Sequence, residues 1–397
     1  MGTAEHHPLI TRNTHRHRRP CRARAGQRGL SLVELMVAML IGLLLALVMV
    51  RALVFAEAQR RTTSASSDTD LSGAYAASVL DTALRSAGSG LMQSLDAGII
   101  GCNPGFTGTL QPPFDNFLSG NPGNLRLAPL LIAAPPATPA NNDAPISDVV
   151  AVMSASGAAG GIPRTVLSAS GATLTLTNTV GITVSSQALI SQSAGTCSIQ
   201  NVQAVDSNSS HLTLAAEPAA PPSYLLPLGI AQDVQFQLFG VNPTTATLYS
   251  YDLLNHTLRP MASNVLAMQA LYGIADGSGK LVQWVSPGAT GYDIGSMMND
   301  SAKLKQIVAV RIALILKSGL YEKDEKGENK SVSAGKKWYW FNPAPGTNAD
   351  LSGIAYNADG LTVPQTWGPG AGTPAEHYRY SVIEFVVPMR NGMIINK

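Results

Sequence analysis

Residues 28–51 read Arg28-Gly29-Leu30-Ser31-Leu32-Val33-Glu34-Leu35-Met36-Val37-Ala38-Met39-Leu40-Ile41-Gly42-Leu43-Leu44-Leu45-Ala46-Leu47-Val48-Met49-Val50-Arg51. From Leu30 to Val50 only Ser31, Glu34 and Gly42 interrupt an apolar run. A helix of about 20 such residues spans the hydrocarbon core of a bilayer. Pro20 and Pro104 are consecutive prolines, so no proline breaks the intervening chain. Beyond Arg51, Leu71, Tyr75 and Val79 recur at i, i+4 and i+8, with Leu80 and Leu84 extending the stripe. That spacing marks an amphipathic helix. The expectation is one helix from Leu30 to about Ala87, roughly 85 Å long at 1.5 Å per residue. It ends near Gly88 and Gly90, with its first half in lipid and its second half laid on a globular domain.

Working outward, the net charge of +2 over 397 residues conceals a segregation. Residues 1–29 hold Arg12, Arg16, Arg18, Arg19, Arg22, Arg24 and Arg28 against Glu5 alone, leaving 20 basic and 24 acidic residues elsewhere, a net of −4. An arginine-rich segment abutting an apolar run follows the positive-inside rule and stays in the cytoplasm. Direct nucleic-acid binding is the weaker explanation of those charges. Charged residues make up 13% of the chain, against about 25% in average domains. Of three cysteines, Cys21 precedes the run, while Cys102 and Cys197 follow it. In an oxidising compartment these two are expected to pair; the alternative is two buried thiols. Closing so long a loop is credited with about 4–5 kcal/mol at most by the chain-entropy model.

The remainder reads as α+β with mostly antiparallel sheet. Leu91 to Ser147 is proline-punctuated and loop-like. Strand patterns follow at Val149–Met153, Thr173–Leu176, His211–Leu214 and Asp233–Phe239, the last with Val234, Phe236 and Leu238 inward. Leu271–Gly273 and Leu281–Val285 flank a turn at Asp276-Gly-Ser-Gly. Ile307–Leu316 places Val308, Val310, Ile312, Leu314 and Leu316 on one face, with Gln306, Arg311 and Lys317 on the other. Glu322–Lys330 reads as a solvated loop. Trp338–Phe341 supplies core area or an exposed aromatic patch. Tyr378–Met389 is apolar on both faces, as an interior strand would be.

Glu34 is the anomaly, since a charge at the centre of a membrane helix costs about 2.5–3.5 kcal/mol. No small-residue cleavage site ends the run, so the run is expected to be retained. Two explanations stand. Cleavage after Gly29 would free an amine at Leu30, one turn away, to pair with the carboxylate of a neighbouring subunit. Alternatively, Glu34 lies shallow and snorkels to the interface.

Gly29-Leu30-Ser31-Leu32-Val33-Glu34 before an apolar run resembles the prepilin cleavage and methylation motif of type IV pilins and type II secretion pseudopilins. Leu30 stands where major pilins usually carry Phe, which favours a minor subunit. Arg28 to Ala38, Leu84-Arg85-Ser86-Ala87-Gly88, Gly101-Cys102, Val310-Arg311-Ile312-Ala313-Leu314 and Met389-Arg390-Asn391 are similar to features of PilW-type minor pilins. The resemblance implies a type IV pilin-like fold. Residues 1–29 would be a removed leader, 30–51 the transmembrane and filament-core helix, 52–90 its amphipathic continuation, and 91–397 a periplasmic or extracellular domain. It implies processing at Gly29 and Leu30, assembly through Glu34, and a role in priming pili that support twitching motility and adhesion. The expected partners are prepilin peptidase, other minor pilins, the major pilin, the inner membrane and the pilus assembly platform. The chain would sit single-pass in the inner membrane and enter the surface pilus on assembly. A type II secretion pseudopilin and a membrane-tethered binding domain or adhesin remain as alternatives.

No cofactor is expected. P-loop, Gly-x-Ser-x-Gly, His-Glu-x-x-His and Cys-x-x-Cys motifs are absent, and His211, His256 and His377 are far apart in sequence, so an enzyme is not expected. Asp276 is the single carboxylate of its Gly-rich turn; calcium needs several, so a hairpin turn is the expectation.

Overall fold

The computed structural model describes residues 31–91, 98–134, 145–156, 161–192, 195–324, 326–357, 359 and 361–389. It divides into two compact units, the first ending at Leu53 and the second beginning at Val54. Helix α1 runs from Leu32 to Ser86. In the first unit its side chains are exposed, from Leu32 at 77% to Leu53 at 69%. Among the described residues this is the one helix long and apolar enough to cross a membrane, and its apolar window has a mean hydropathy of 2.8.

In the second unit, α1 buries Ala65, Thr69, Gly73, Ala76, Leu80, Ala83 and Leu84. Steps of three and four keep these residues on one face of a 3.6-residue helix. From Ala65 to Ala76 the stripe is made of small residues, so there the backbone comes close to what it covers. The expected stripe is therefore shifted: Leu80 and Leu84 are buried, but Leu71 and Tyr75 are 70% and 54% exposed. Residue size misleads here, because the close-packed face needs small side chains and leaves the large ones outside.

Strands β1 (Leu130–Ala133) and β2 (Val149–Ser154) open a five-stranded sheet. β1 falls inside the segment expected to be loop. The chain then leaves that sheet to build a separate unit from β3 (Arg164–Ser170), β4 (Thr173–Leu176), β5 (Ser186–Gln192), β6 (Cys197–Asp206), β7 (His211–Leu214) and β8 (Pro222–Ile230). These six close into an antiparallel barrel in the order β3-β4-β7-β6-β5-β8. Leu174, Leu176, Ala188, Ile190, Leu212 and Leu225 help fill its interior. The chain returns with β9 (Gln235–Asn242), which pairs antiparallel with β2, followed by β10 (Thr247–Asp252) and β11 (Thr257–Ser263). The barrel is thus an insertion between two adjacent strands of the first sheet.

The second five-stranded sheet contains β12 (Val265–Ala275), β13 (Leu281–Val285), β14 (Ile307–Lys317), β16 (Ala355–Tyr356) and β18 (Tyr380–Pro388), in the order β16-β13-β12-β14-β18. Only β13 and β16 pair in parallel among its described strands. Two short helices, α2 (Ile294–Asn299) and α3 (Ser301–Gln306), lead into β14; β15 (Trp338–Trp340) and β17 (Gln365–Trp367) form a small ribbon.

β14 is covered on both faces, contrary to the one-sided expectation. Val310, Ile312, Leu314 and Leu316 join the main core with Leu80 and Leu84 of α1. Ala309, Ala313 and Ile315 join a second core with Trp284, Trp340, Phe341 and Tyr356. So Trp340 and Phe341 are core residues, whereas Tyr339 is 47% exposed. Among the described strands β18 lies at the edge of the sheet, not in its interior. Its two-sided apolar character has another source: Ile383 and Phe385 pack on the main core, and Val382 packs on the second. A long N-terminal apolar helix and a mostly antiparallel, β-rich C-terminal region are therefore both present.

Candidate functional site

Gly29 and Leu30 lie outside the described residues. The helix they precede begins with a built N-terminus. The backbone N–H of Glu34 donates to the Ser31 carbonyl at 3.0 Å and to its hydroxyl at 3.3 Å. Ser31 is therefore the N-cap and Glu34 the third helical residue, the Ser-x-x-Glu spacing of a capping box. A carboxylate in the first turn also complements the positive end of the helix dipole. Ser-x-x-Glu ahead of an apolar run is the sequence signal for this cap. Ser31 and Glu34 are both exposed.

In the second unit, Gly73 is where α1 meets the sheet. A Cβ there would collide with Leu316 Cδ1 and stand 2.7 Å from Ile383 Cδ1. The neighbouring stretch has a polar tie. Glu322, expected in a solvated loop, is buried; it accepts from the Thr62 hydroxyl at 2.7 Å and pairs with Arg379 Nε at 2.6 Å. Cys102 and Cys197 form a disulfide, with their Cα atoms 5.8 Å apart. It joins the loop after α1 to the first residue of β6, so it fastens the inserted barrel to the main core. Asn103 N donates to the Gly195 carbonyl and Cys197 N to the Asn103 carbonyl, each at 3.1 Å, beside the bond.

Arg311 is the second feature that sequence reading undervalued. On β14 it faces the second core between Ala309 and Ala313. Its guanidinium pairs with Asp350 at 3.3 Å and Glu384 at 2.9 Å. The Arg311, Asp350 and Glu384 side chains are 14%, 9% and 24% exposed. Its carbon also lies 5.5 Å from the Tyr356 ring centre, 5.6 Å from Phe341 and 6.0 Å from Trp284, within cation–π range. Register explains Glu384: Arg311 faces Val386 on β18, and Glu384 is the same-face diagonal neighbour. Asp350 arrives from a loop and accepts from Trp284 Nε1 at 2.8 Å. A polar residue amid apolar ones on β14 was the available signal; its partners, 39 and 73 residues away, were not.

The turn at Asp276 is a hairpin turn. Its carboxylate accepts from the Ser278 hydroxyl at 2.7 Å and from the Ser278 and Lys280 backbone N–H groups at 2.9 and 3.0 Å. The Ser278 hydroxyl, then those N–H groups, holds this carboxyl below its ordinary pKa. Among the described residues, no three His, Cys, Asp or Glu side chains gather as metal ligands.

Two family models match the chain. Residues 24–50 match the prokaryotic N-terminal methylation motif, and residues 245–391 match PilW, the type IV pilus-assembly protein W. The two matches support a PilW-type type IV minor pilin. The first match covers the Ser31–Glu34 cap and the whole apolar run to Val50. The second covers β12, β14, β18 and the Arg311 network, and it omits the inserted barrel. The pilin matches suggest a structural, non-enzymatic protein, and the methylation motif with the apolar helix fits a membrane-anchored one. No curated protein and no solved structure matches the chain.

Proposed function

We propose that this chain is a minor pilin that helps initiate or prime type IV pilus assembly. The observation that carries the reading is the joint occurrence, in one chain, of a Gly29–Glu34 processing motif on an apolar helix and a PilW match over the C-terminal sheet. Prepilin peptidase cuts after Gly29 and methylates the amine of Leu30, removing residues 1–29. Residues 30–51 anchor the subunit in the inner membrane and become filament core on assembly. Residues 52–90 carry the helix onto the head, and residues 91–397 form a periplasmic, later extracellular, pilin-like domain. The arginine-rich leader supports this orientation by the positive-inside rule, and the disulfide supports an oxidising compartment for the head. Other minor pilins, the major pilin and the assembly platform are the partners, with twitching motility and adhesion following from the pilus. The PilW match favours pilus biogenesis over type II secretion.

Glu34 then pairs with the amine of an adjoining subunit. Glu34→Ala should leave the protein cleaved but out of sheared pili. Ser31→Ala removes the cap, worth about 1 kcal/mol of helix stability, but keeps the carboxylate, and should still assemble. Normal incorporation of Glu34→Ala would refute the pairing.

A further inference from the structure

A cleft of about 760 Å³ opens in the C-terminal region, away from α1. Ligand sites typically measure about 300–1,000 Å³ and combine apolar walls with a few placed polar groups. Here the walls include Trp340 and Trp367, and Lys337 is also among the lining residues. Trp367 is braced before any ligand arrives: Tyr380 packs edge-on at 5.1 Å between ring centres, and Trp338 lies at 6.4 Å.

Three polar side chains line the cleft with one end fixed by the protein. Asp148 is buried; one of its carboxylate oxygens accepts from Ala270 N at 2.8 Å. Gln269 is buried; its amide N–H donates to the Ile146 carbonyl. Gln365 accepts from Trp340 Nε1 at 2.6 Å through its amide oxygen. For the two amides the fixed end sets the role of the other: the Gln269 oxygen is an acceptor and the Gln365 nitrogen is a donor. The second Asp148 oxygen accepts when the carboxyl is ionised and donates when it is protonated. All three side chains line the cleft, where the polar groups of a ligand can reach them.

We infer that this cleft binds a neutral saccharide of two or more sugar units. Sugar hydroxyls both donate and accept, which suits an acceptor, a donor and a carboxyl able to do either in one cleft. The C–H face of a pyranose is apolar and fits an indole wall. A cationic ligand suits it less, because Lys337 stands in the same lining. Burial pushes the Asp148 carboxyl up to about 7, so it holds its negative charge weakly and serves a neutral ligand as acceptor or donor. The inference goes beyond pilus assembly and rests on none of its steps, so the two fail separately.

The test is saturation-transfer NMR on the full chain in an amine-oxide detergent, which carries no sugar of its own. The probes are cellobiose, maltose and N,N′-diacetylchitobiose. At least one should receive saturation on its ring C–H protons and give a saturable change in tryptophan emission. Gln365→Glu keeps the acceptor for Trp340 Nε1, removes the amide donor and should weaken that binding about tenfold with little change in the unfolding midpoint, and Trp367→Leu should abolish transfer to the ring protons. No transfer to any of the three sugars overturns the inference. So does equal binding by the wild type and both variants, or binding of Gly-Arg-Gly where the sugars fail.

Discussion

Replacing Arg311 by Met keeps most of the side-chain volume and removes the charge. It leaves Asp350 and Glu384 facing a core of Trp284, Phe341 and Tyr356 with no counter-ion. Removing one partner of a buried ion pair costs about 3–5 kcal/mol, mostly for the charge left behind. Two features pull this case toward the lower end. Asp350 keeps N–H donors from Ser352, Ile354 and Trp284, at 2.8, 2.9 and 2.8 Å. Glu384 keeps the Phe341 backbone N–H at 2.9 Å and is about a quarter exposed. The expected loss is therefore about 3 kcal/mol. Urea unfolding of the full chain in detergent, followed by emission from Trp284 and its neighbours, reads it directly. Adding Asp350→Asn and Glu384→Gln to Arg311→Met removes both stranded charges and should recover most of the loss. A single variant within about 0.5 kcal/mol of wild type, or a triple variant no better than the single, would refute the network as the organiser of this core.

Four further outcomes can be measured on the same chain. Gly73→Leu forces a side chain into the space held by Leu316 and Ile383, and should cost about 1–3 kcal/mol in the same unfolding assay. Leu71→Ala, on the exposed face two residues earlier, should cost less than about 0.5 kcal/mol. Cys102→Ser opens a 95-residue separation and should lower stability by up to about 4–5 kcal/mol, with limited proteolysis cutting first around the barrel. Asp148 gives a pH signature: its folded pKa of about 7 exceeds the unfolded value, so the native state binds the extra proton. Stability should fall as pH rises from about 4 to about 7 and level off above, and Asp148→Asn should flatten that slope when unfolding midpoints are measured across the range.

The readable parts of this sequence are those with strong local patterns. The apolar run from Leu32, the ends of β4, β7 and β13, the Asp276 turn and the cysteine pair all appear in the structure as expected. The closed barrel did not announce itself, because short strands joined by turns look alike whether a sheet is open or closed. Closure depends on β3 meeting β8, a pairing about 60 residues apart that periodicity does not encode. Burial on both faces hid β14: alanines at 309 and 313 gave no apolar signal, yet they make room for the aromatic layer. For the same reason Leu71 and Tyr75 suggested the wrong face of α1, where Gly73 and Ala76 make the contact. Ser31 was visible, and Ser-x-x-Glu was the signal that would have supplied the cap.

In the proposed function the Arg28–Arg51 segment is a processed pilin N-terminus, first a membrane anchor and then a filament element. Mass spectrometry of the N-terminal peptide, taken from the membrane and sheared-pilus fractions of the same cells, tests it most directly. A chain beginning at Leu30 with a methylated amine is expected in both fractions. A chain that retains residues 1–29, or that begins beyond Glu34, would contradict it.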